Sequence, residues 1–247
     1  MMKRHALLLG YSGWDLPNGF LSGVMQDLQN YKEYLMSLRG GGWDENEITV
    51  LEDKSLTKEN IQAEIKKIKR NGTDVVFTVF SGHGEYDDVQ KSCRILEISR
   101  DAEIPETDLW NLAKRQILIL DSCSGLRSRR TITEARTALD KNSKQGLLRD
   151  VVRYRYEKLC EQCPEQQIRL YAAKKGSYAK DTDDGGLYSK VLLGECSGKN
   201  NNSNINAVTA HDRVAQEVKK ETHEEQVPDK LVPRVHSFLP IAVKIQA

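Results

Sequence analysis

The chain has 247 residues, 38% hydrophobic and 30% charged, enough for one large domain with a substantial core. Its net charge of +1 gives no whole-protein field to draw it to nucleic acid or an acidic membrane, and no apolar run approaches the roughly 18–20 residues of a membrane span. Five irregularly spaced cysteines do not suggest a disulfide framework and favour a reducing compartment, the cytoplasm.

Residues 5–11 read as the first strand. The opening Met1-Met2-Lys3-Arg4-His5 followed by Ala6 to Leu9 imitates a signal peptide, but its apolar part is shorter than the roughly 7–15 residues of such a segment. Over residues 21–38, Leu21, Val24, Met25, Leu28, Tyr31, Leu35 and Leu38 follow helical spacing, and Gly40-Gly41-Gly42 ends the run. Residues 47–51 are a second strand. Thr57 caps the next helix, with Ile61, Ile65 and Ile68 on one face. Residues 74–80 are almost continuously apolar and β-branched, as in a strand covered on both faces of a parallel sheet. Residues 93–98 suit a small β-ribbon, 105–114 a short helix, and 116–120 a second buried strand. This β-α-β-α-β order predicts a layered α/β fold with right-handed crossovers.

Beyond Cys123 the chain turns polar and basic, with Arg127, Arg129, Arg130 and Arg136. A helix is expected over 147–159, a strand over 168–173, a helix from 187 to 193, a low-complexity loop over 197–206 and a helix over 207–220. Residues 234–243 read as a last strand, placed at an edge by Pro240.

Two short blocks carry the chemistry. Phe80-Ser81-Gly82-His83-Gly84-Glu85 follows one buried strand, and Leu120-Asp121-Ser122-Cys123-Ser124-Gly125 follows the other. Open α/β sheets bind ligands beyond the carboxyl ends of their strands. If the two strands are neighbours, His83 and Cys123 overhang one crevice, as a thiol nucleophile and its acid/base partner require. Either residue alone is ambiguous, since cysteine is often a small buried hydrophobe.

These blocks, in this order, resemble the caspase-like cysteine peptidases, and among them the metacaspase and prokaryotic caspase-homologue branch. Leu21-x-Gly23-x-x-x-Asp27 and Thr57-x-x-Asn60-Ile61 match the rhythm of the family's first half, and Ala172-Ala173, Gly185-Gly186-Leu187-Tyr188 and Gln226-x-Pro228 match its second. One departure is Ser124, directly after the cysteine where the family commonly has His. The resemblance implies a caspase-like three-layer sandwich, with a mostly parallel six-stranded sheet flanked by helices. It implies a single catalytic domain over 1–247: a large-subunit-like half to residue 123, a basic insertion over 124–167 and a small-subunit-like half from 168. It makes His83 and Cys123 the catalytic pair, with the backbone amides of Gly84 and Cys123 as the oxyanion hole.

By the same resemblance Asp27, Ser81 and Asp121 line the primary specificity pocket. Two carboxylates suit a guanidinium, so cleavage of a protein or peptide after Arg is expected, with Lys the lesser candidate. The arginine-rich stretch after Cys123, and Arg149 beyond it, are candidate self-cleavage sites or a solvated basic face. Sparse aromatics argue against a nucleic-acid patch. No cofactor or metal site is expected. Cys160-x-x-Cys163 lacks a second pair for zinc. Some metacaspases are activated by calcium, and Asp87, Asp88, Asp101, Glu103 and Asp108 offer oxygens without a specified cage. The alternatives are a regulatory or scaffolding module whose dyad is idle or awaits a partner or ligand, and a different thiol acyl-transfer enzyme.

Overall fold

The structure, a computed structural model, describes residues 2–89, 92–123, 146–198 and 202–245. In chain order the first half contains β1 (Arg4–Tyr11), α1 (Gly23–Met36), β2 (Ile48–Glu52), α2 (Lys58–Arg70), β3 (Val75–Gly82), β4 (Gly84–Asp87), β5 (Cys93–Ser99), β6 (Ala102–Pro105) and β7 (Arg115–Ser122). The second half contains α3 (Gly146–Gln162), β8 (Gln166–Tyr171), β9 (Asp181–Thr182), β10 (Gly185–Gly186), α4 (Leu187–Ser197), β11 (Ile205–Asn206), α5 (Ala207–Glu221), β12 (Asp229–Leu231) and β13 (Pro240–Ala242).

Six strands form the central sheet in the order β12-β8-β7-β3-β1-β2. Every pairing is parallel except that of β12 with β8. Alternate residues of one strand serve opposite faces. Ala6 and Leu8 of β1 join Leu28, Tyr31, Tyr156, Tyr188 and Val214 in a core beneath α1, α3, α4 and α5. Leu7 and Leu9 face the other way, into a core with Ile61 and Ile68 of α2 and Leu96, Ile98 and Ile104 of the β4–β5–β6 ribbon. Both faces of the sheet are therefore covered, which explains the nearly unbroken apolar runs of β1, β3 and β7. The sandwich is the expected one.

Local signals act as anticipated at α2, where the Thr57 side chain accepts a hydrogen bond from the Asn60 amide at 3.2 Å. Three expectations need correction. Residues 105–114 do not form a helix: Pro105 ends β6 and only a single tight turn, Glu106–Leu109, follows. The Gln116 side chain takes the place of further helical bonds there, accepting from the Leu112 amide and donating to the Leu109 carbonyl. Residues 234–243 yield only the short β13, which pairs with β11 outside the central sheet; the sheet's edge is β12 instead. Asn206, assigned to a loop from composition, ends β11 and caps α5, accepting from the Thr209 amide at 2.8 Å.

The basic segment is not uniform. Arg127, Arg129, Arg130 and Arg136 lie outside the described residues. From Gly146 the chain is the helix α3, which buries Val152, Tyr156 and Cys160. Arg149 donates to the Trp43 carbonyl and pairs with Asp44, so it belongs to a packed helix rather than an exposed loop. Arg153 binds Asp44 and Glu47, and Glu47 also holds Arg4, whose guanidinium lies 4.6 Å over the Trp43 ring.

Candidate active site

The register of β3 against β7 runs in step to its last pairs, Ser81 with Asp121 and Gly82 with Ser122. His83 and Cys123 are the next residues on each chain. Neighbouring strands lie about 4.8 Å apart, so the two residues leave adjacent strand ends at the carboxyl edge of the sheet. Gly82 makes this possible: its φ is +149°, and a Cβ there would stand 2.6 Å from the Tyr11 carbonyl oxygen.

His83 is oriented by a loop the sequence reading did not single out. Its Nε2 lies 2.5 Å from the Gly19 carbonyl oxygen. A carbonyl oxygen only accepts, so Nε2 carries the hydrogen and Nδ1 is left as the basic nitrogen. The Tyr11 ring meets the imidazole edge-on at 6.0 Å. The loop closes through the Leu21 amide on the Ser12 carbonyl, and Ser12 is held in turn by Asp53. Gly13 sits at φ +74°, and a Cβ there would meet the Gly19 oxygen at 2.8 Å and His83 Nε2 at 3.1 Å. The glycines at 13 and 19 were the available signal.

Cys123 is partly buried, and its thiol donates to the Ala179 carbonyl at 3.5 Å. Burial pushes the thiol pKa up, and the negative charges of Asp121, Asp181 and Glu97 push it further. Gly84 packs close to the neighbouring strand end, where a Cβ would stand 3.0 Å from Ser122 Oγ. That hydroxyl is buried without a hydrogen-bond partner among the described residues.

Beneath this edge lie the three residues assigned to the specificity pocket, and the structure brings them together. Asp27 of α1 is 1% exposed. Its Oδ2 accepts from Ser81 Oγ at 2.7 Å, and the Gly186 amide donates to both carboxylate oxygens at 3.1 Å. Asp121 is 5% exposed and accepts from the Ser189 amide at 3.0 Å, while Ser189 Oγ meets the Tyr31 hydroxyl at 3.0 Å. Burial, reinforced by the charge of Asp121, holds Asp27 well above the ordinary carboxylate range. Burial pushes Asp121 up to about 6. No lysine or arginine among the described residues offsets either carboxylate.

A third carboxylate, Asp181, was missed. It stands on β9, accepts from the Gly23 amide at 3.4 Å, and is pushed up to about 6, chiefly by burial and then by Asp121. Gly23 has to be a glycine, since a Cβ would lie 2.3 Å from both Asp181 Oδ1 and the Thr182 carbonyl oxygen. The run Asp181-Thr182-Asp183-Asp184 before Gly185-Gly186 was the only hint in the sequence. Among the described residues no group of three or more His, Cys, Asp or Glu side chains could hold a metal ion, and Asp88 is paired with Lys175. Cys160 and Cys163 are buried free thiols.

The caspase-domain family matches residues 3–234, nearly the whole chain, so the protein belongs to the caspase-like peptidases. Among the crystal structures that share its fold are the following two. One is a protein of Geobacter sulfurreducens, with a TM-score of 0.62, 17% identity, and coverage of 96% of this chain and 97% of that one. The other is caspase-1 from Spodoptera frugiperda, with a TM-score of 0.62, 17% identity, and coverage of 99% and 92%. No curated protein matches the sequence. No described helix is long and apolar enough to cross a membrane.

Proposed function

We propose that this protein is a cysteine endopeptidase that cuts protein or peptide chains after Arg and, more weakly, after Lys. One observation supports the reading: His83 and Cys123 each follow directly on the register pair Gly82–Ser122, and the same strand ends hold two buried carboxylates that have no cation partner among the described residues. His83 Nδ1 takes the thiol proton, and the thiolate attacks the scissile carbonyl. The amides of Gly84 and Cys123 receive the oxyanion. The carbon–nitrogen bond breaks as the imidazolium protonates the leaving amine, leaving a thioester. His83 then deprotonates water, which releases the new carboxylate and restores the thiol. Profiling a peptide library tests the specificity: enrichment of Arg at the position before the cut supports it, and enrichment of Asp overturns it.

The catalytic domain spans 1–247 on this reading, with the crevice shared between residues up to 123 and residues from 168. Self-cleavage after Arg127, Arg129, Arg130 or Arg136, or activation by calcium, would regulate it, and intact-mass measurement of wild type beside Cys123→Ala, with and without calcium, checks both points. On this reading the bond-cutting chemistry uses no cofactor, nucleic acid or membrane, calcium entering only as an activator, and the protein works in the cytoplasm, where its free thiols persist. A second reading rests on the Cys123 thiol being donated to Ala179 rather than poised for attack. It makes the protein a regulatory module whose dyad awaits a partner or ligand. An Arg-peptide probe that alkylates thiols labels Cys123 in the isolated protein on the first reading and leaves it unlabelled on the second.

A further inference from the structure

The loop that orients His83 has a neck, and a carboxylate from another strand closes it. Residues 13–20 leave β1 at Ser12 and return at Leu21, whose amide donates to the Ser12 carbonyl at 2.8 Å. Ser12 is wholly buried. Its amide donates to Asp53 Oδ1 at 2.9 Å, and its hydroxyl lies 3.0 Å from Oδ1 and 2.8 Å from Oδ2 of the same carboxylate. Every polar group of Ser12 is therefore engaged at the neck. Within the loop the Leu16 amide donates to the Gly13 carbonyl at 2.9 Å, and the chain then delivers the Gly19 carbonyl to His83 Nε2.

Asp53 is itself fixed. β2 pairs with β1 up to Glu52 against Gly10, so Asp53 and the chain approaching Ser12 leave adjacent strand ends. Asp53 sits at φ +43°, a left-handed conformation that Asp tolerates better than most residues. Its carbonyl accepts from the Leu56 amide at 2.9 Å, and the Asn60 side chain of α2 donates to the Ser55 carbonyl at 2.9 Å. The tight turn Asp53–Ser55 is thus tied to the start of α2. A continuous strut runs from α2 through Asp53, Ser12 and the loop to Gly19 and His83.

We propose that Asp53 is a positioning residue of the catalytic pair: by clamping Ser12 it holds the Gly19 carbonyl against His83 Nε2, which keeps the hydrogen on that nitrogen and leaves the Nδ1 lone pair to take the thiol proton. This rests on the peptidase reading above. The clamp lies behind the loop, so it acts on turnover and not on substrate binding.

The test pairs kinetics with a proton resonance. Asp53→Gly removes the carboxylate and keeps the left-handed backbone without strain. Asp53→Asn keeps an acceptor for the Ser12 amide and a tolerated backbone. Thr57→Ala removes the cap of α2 and leaves Ser12 untouched. The Nε2 hydrogen of His83, shielded from exchange by Gly19, should give a downfield imidazole N–H signal in wild type, assigned by its loss in His83→Gln. Asp53→Gly should lose that signal and lower kcat on an Arg peptide by about 10–100-fold, with KM within about twofold. Asp53→Asn should restore both. Thr57→Ala should lower the melting temperature and leave the signal and kcat alone. If Asp53→Gly does not fold, Ser12→Ala, which removes only the hydroxyl's share of the clamp, should weaken the signal and kcat in the same direction. A variant without the clamp that keeps the wild-type signal and kcat overturns the proposal. So does a rise in KM at constant kcat, or a loss of kcat in Thr57→Ala as large as in Asp53→Gly. A wild-type protein that cuts no peptide, yet whose signal disappears in Asp53→Gly and returns in Asp53→Asn, overturns the peptidase reading and leaves the placement of His83 by Asp53 standing.

Discussion

The floor and the rim of the crevice are built on opposite terms. On the floor, Asp27 and Asp121 are enclosed and bonded by Ser81, Gly186 and Ser189, on elements locked into the sheet and α1. On the rim, His83 and Cys123 are only partly buried, and each touches a backbone carbonyl of a loop, Gly19 for one and Ala179 for the other. Acidic groups whose charge burial disfavours are thus held where little can relax around them, and the residues assigned to the chemistry are left where loops can adjust. A carboxylate pair in water would collect counterions; here it is already desolvated, which on the proposed specificity prepares it for a guanidinium.

Breaking the rim should have the largest effect. Cys123→Ala should abolish peptide hydrolysis with an unchanged melting temperature, and His83→Ala should cost on the order of 10³-fold in kcat, because thiolate formation and leaving-group protonation both fail. Progress curves beside thermal melts check this, and residual turnover in Cys123→Ala would count against the assignment. Breaking the floor comes next. Asp27→Asn should lower kcat/KM for Arg peptides by roughly 10²-fold, of the order expected when a buried cation loses its partner.

The floor should also reveal itself without substrate. Asp121, pushed up to about 6 in the folded protein, binds its proton more tightly there than in the unfolded chain. Its contribution to stability is therefore full below about pH 4 and is lost as the pH rises through 6. Between pH 4 and 8 the wild type should lose on the order of 2–3 kcal/mol relative to Asp121→Asn, read as the difference between two sets of urea denaturations. A pH-independent difference would show that the carboxylate is not desolvated. The smallest change is Gly23→Ala, whose Cβ meets Asp181 and Thr182. It should cost about 1–3 kcal/mol through displacement of the β9–β10 hairpin and should weaken Arg hydrolysis more than Cys123 alkylation.

The rim's residue types were easy to read from the sequence and its supports were not. Long apolar runs ending in Ser-Gly-His-Gly and Asp-Ser-Cys announce buried parallel strands with chemistry at their tips, because both strand faces are covered. The sheet's last strand was misplaced because β12 is three residues of mixed polarity, Asp229-Lys230-Leu231, carrying no periodic signal. Residues 105–114 look helical by composition, yet Gln116 spends its amide on Leu109 and Leu112. Gly19 and Asp181 act through contacts spanning 64 and 158 residues of chain, which no local pattern encodes.

The pairing of β7 with β8 has an engineering consequence. Residues up to 123 end on an open strand edge that β8 covers from Arg115 against Gln166 to Leu120 against Tyr171. That first piece carries Asp27, Ser81, His83, Asp121 and Cys123, while the carbonyl of Ala179 and the donors of Gly186 and Ser189 come from beyond. Neither piece alone holds a complete crevice. On the proposed function, residues 1–123 and 146–247 produced separately and tethered to two proteins that meet should form a coincidence detector whose output is cleavage of an arginine peptide.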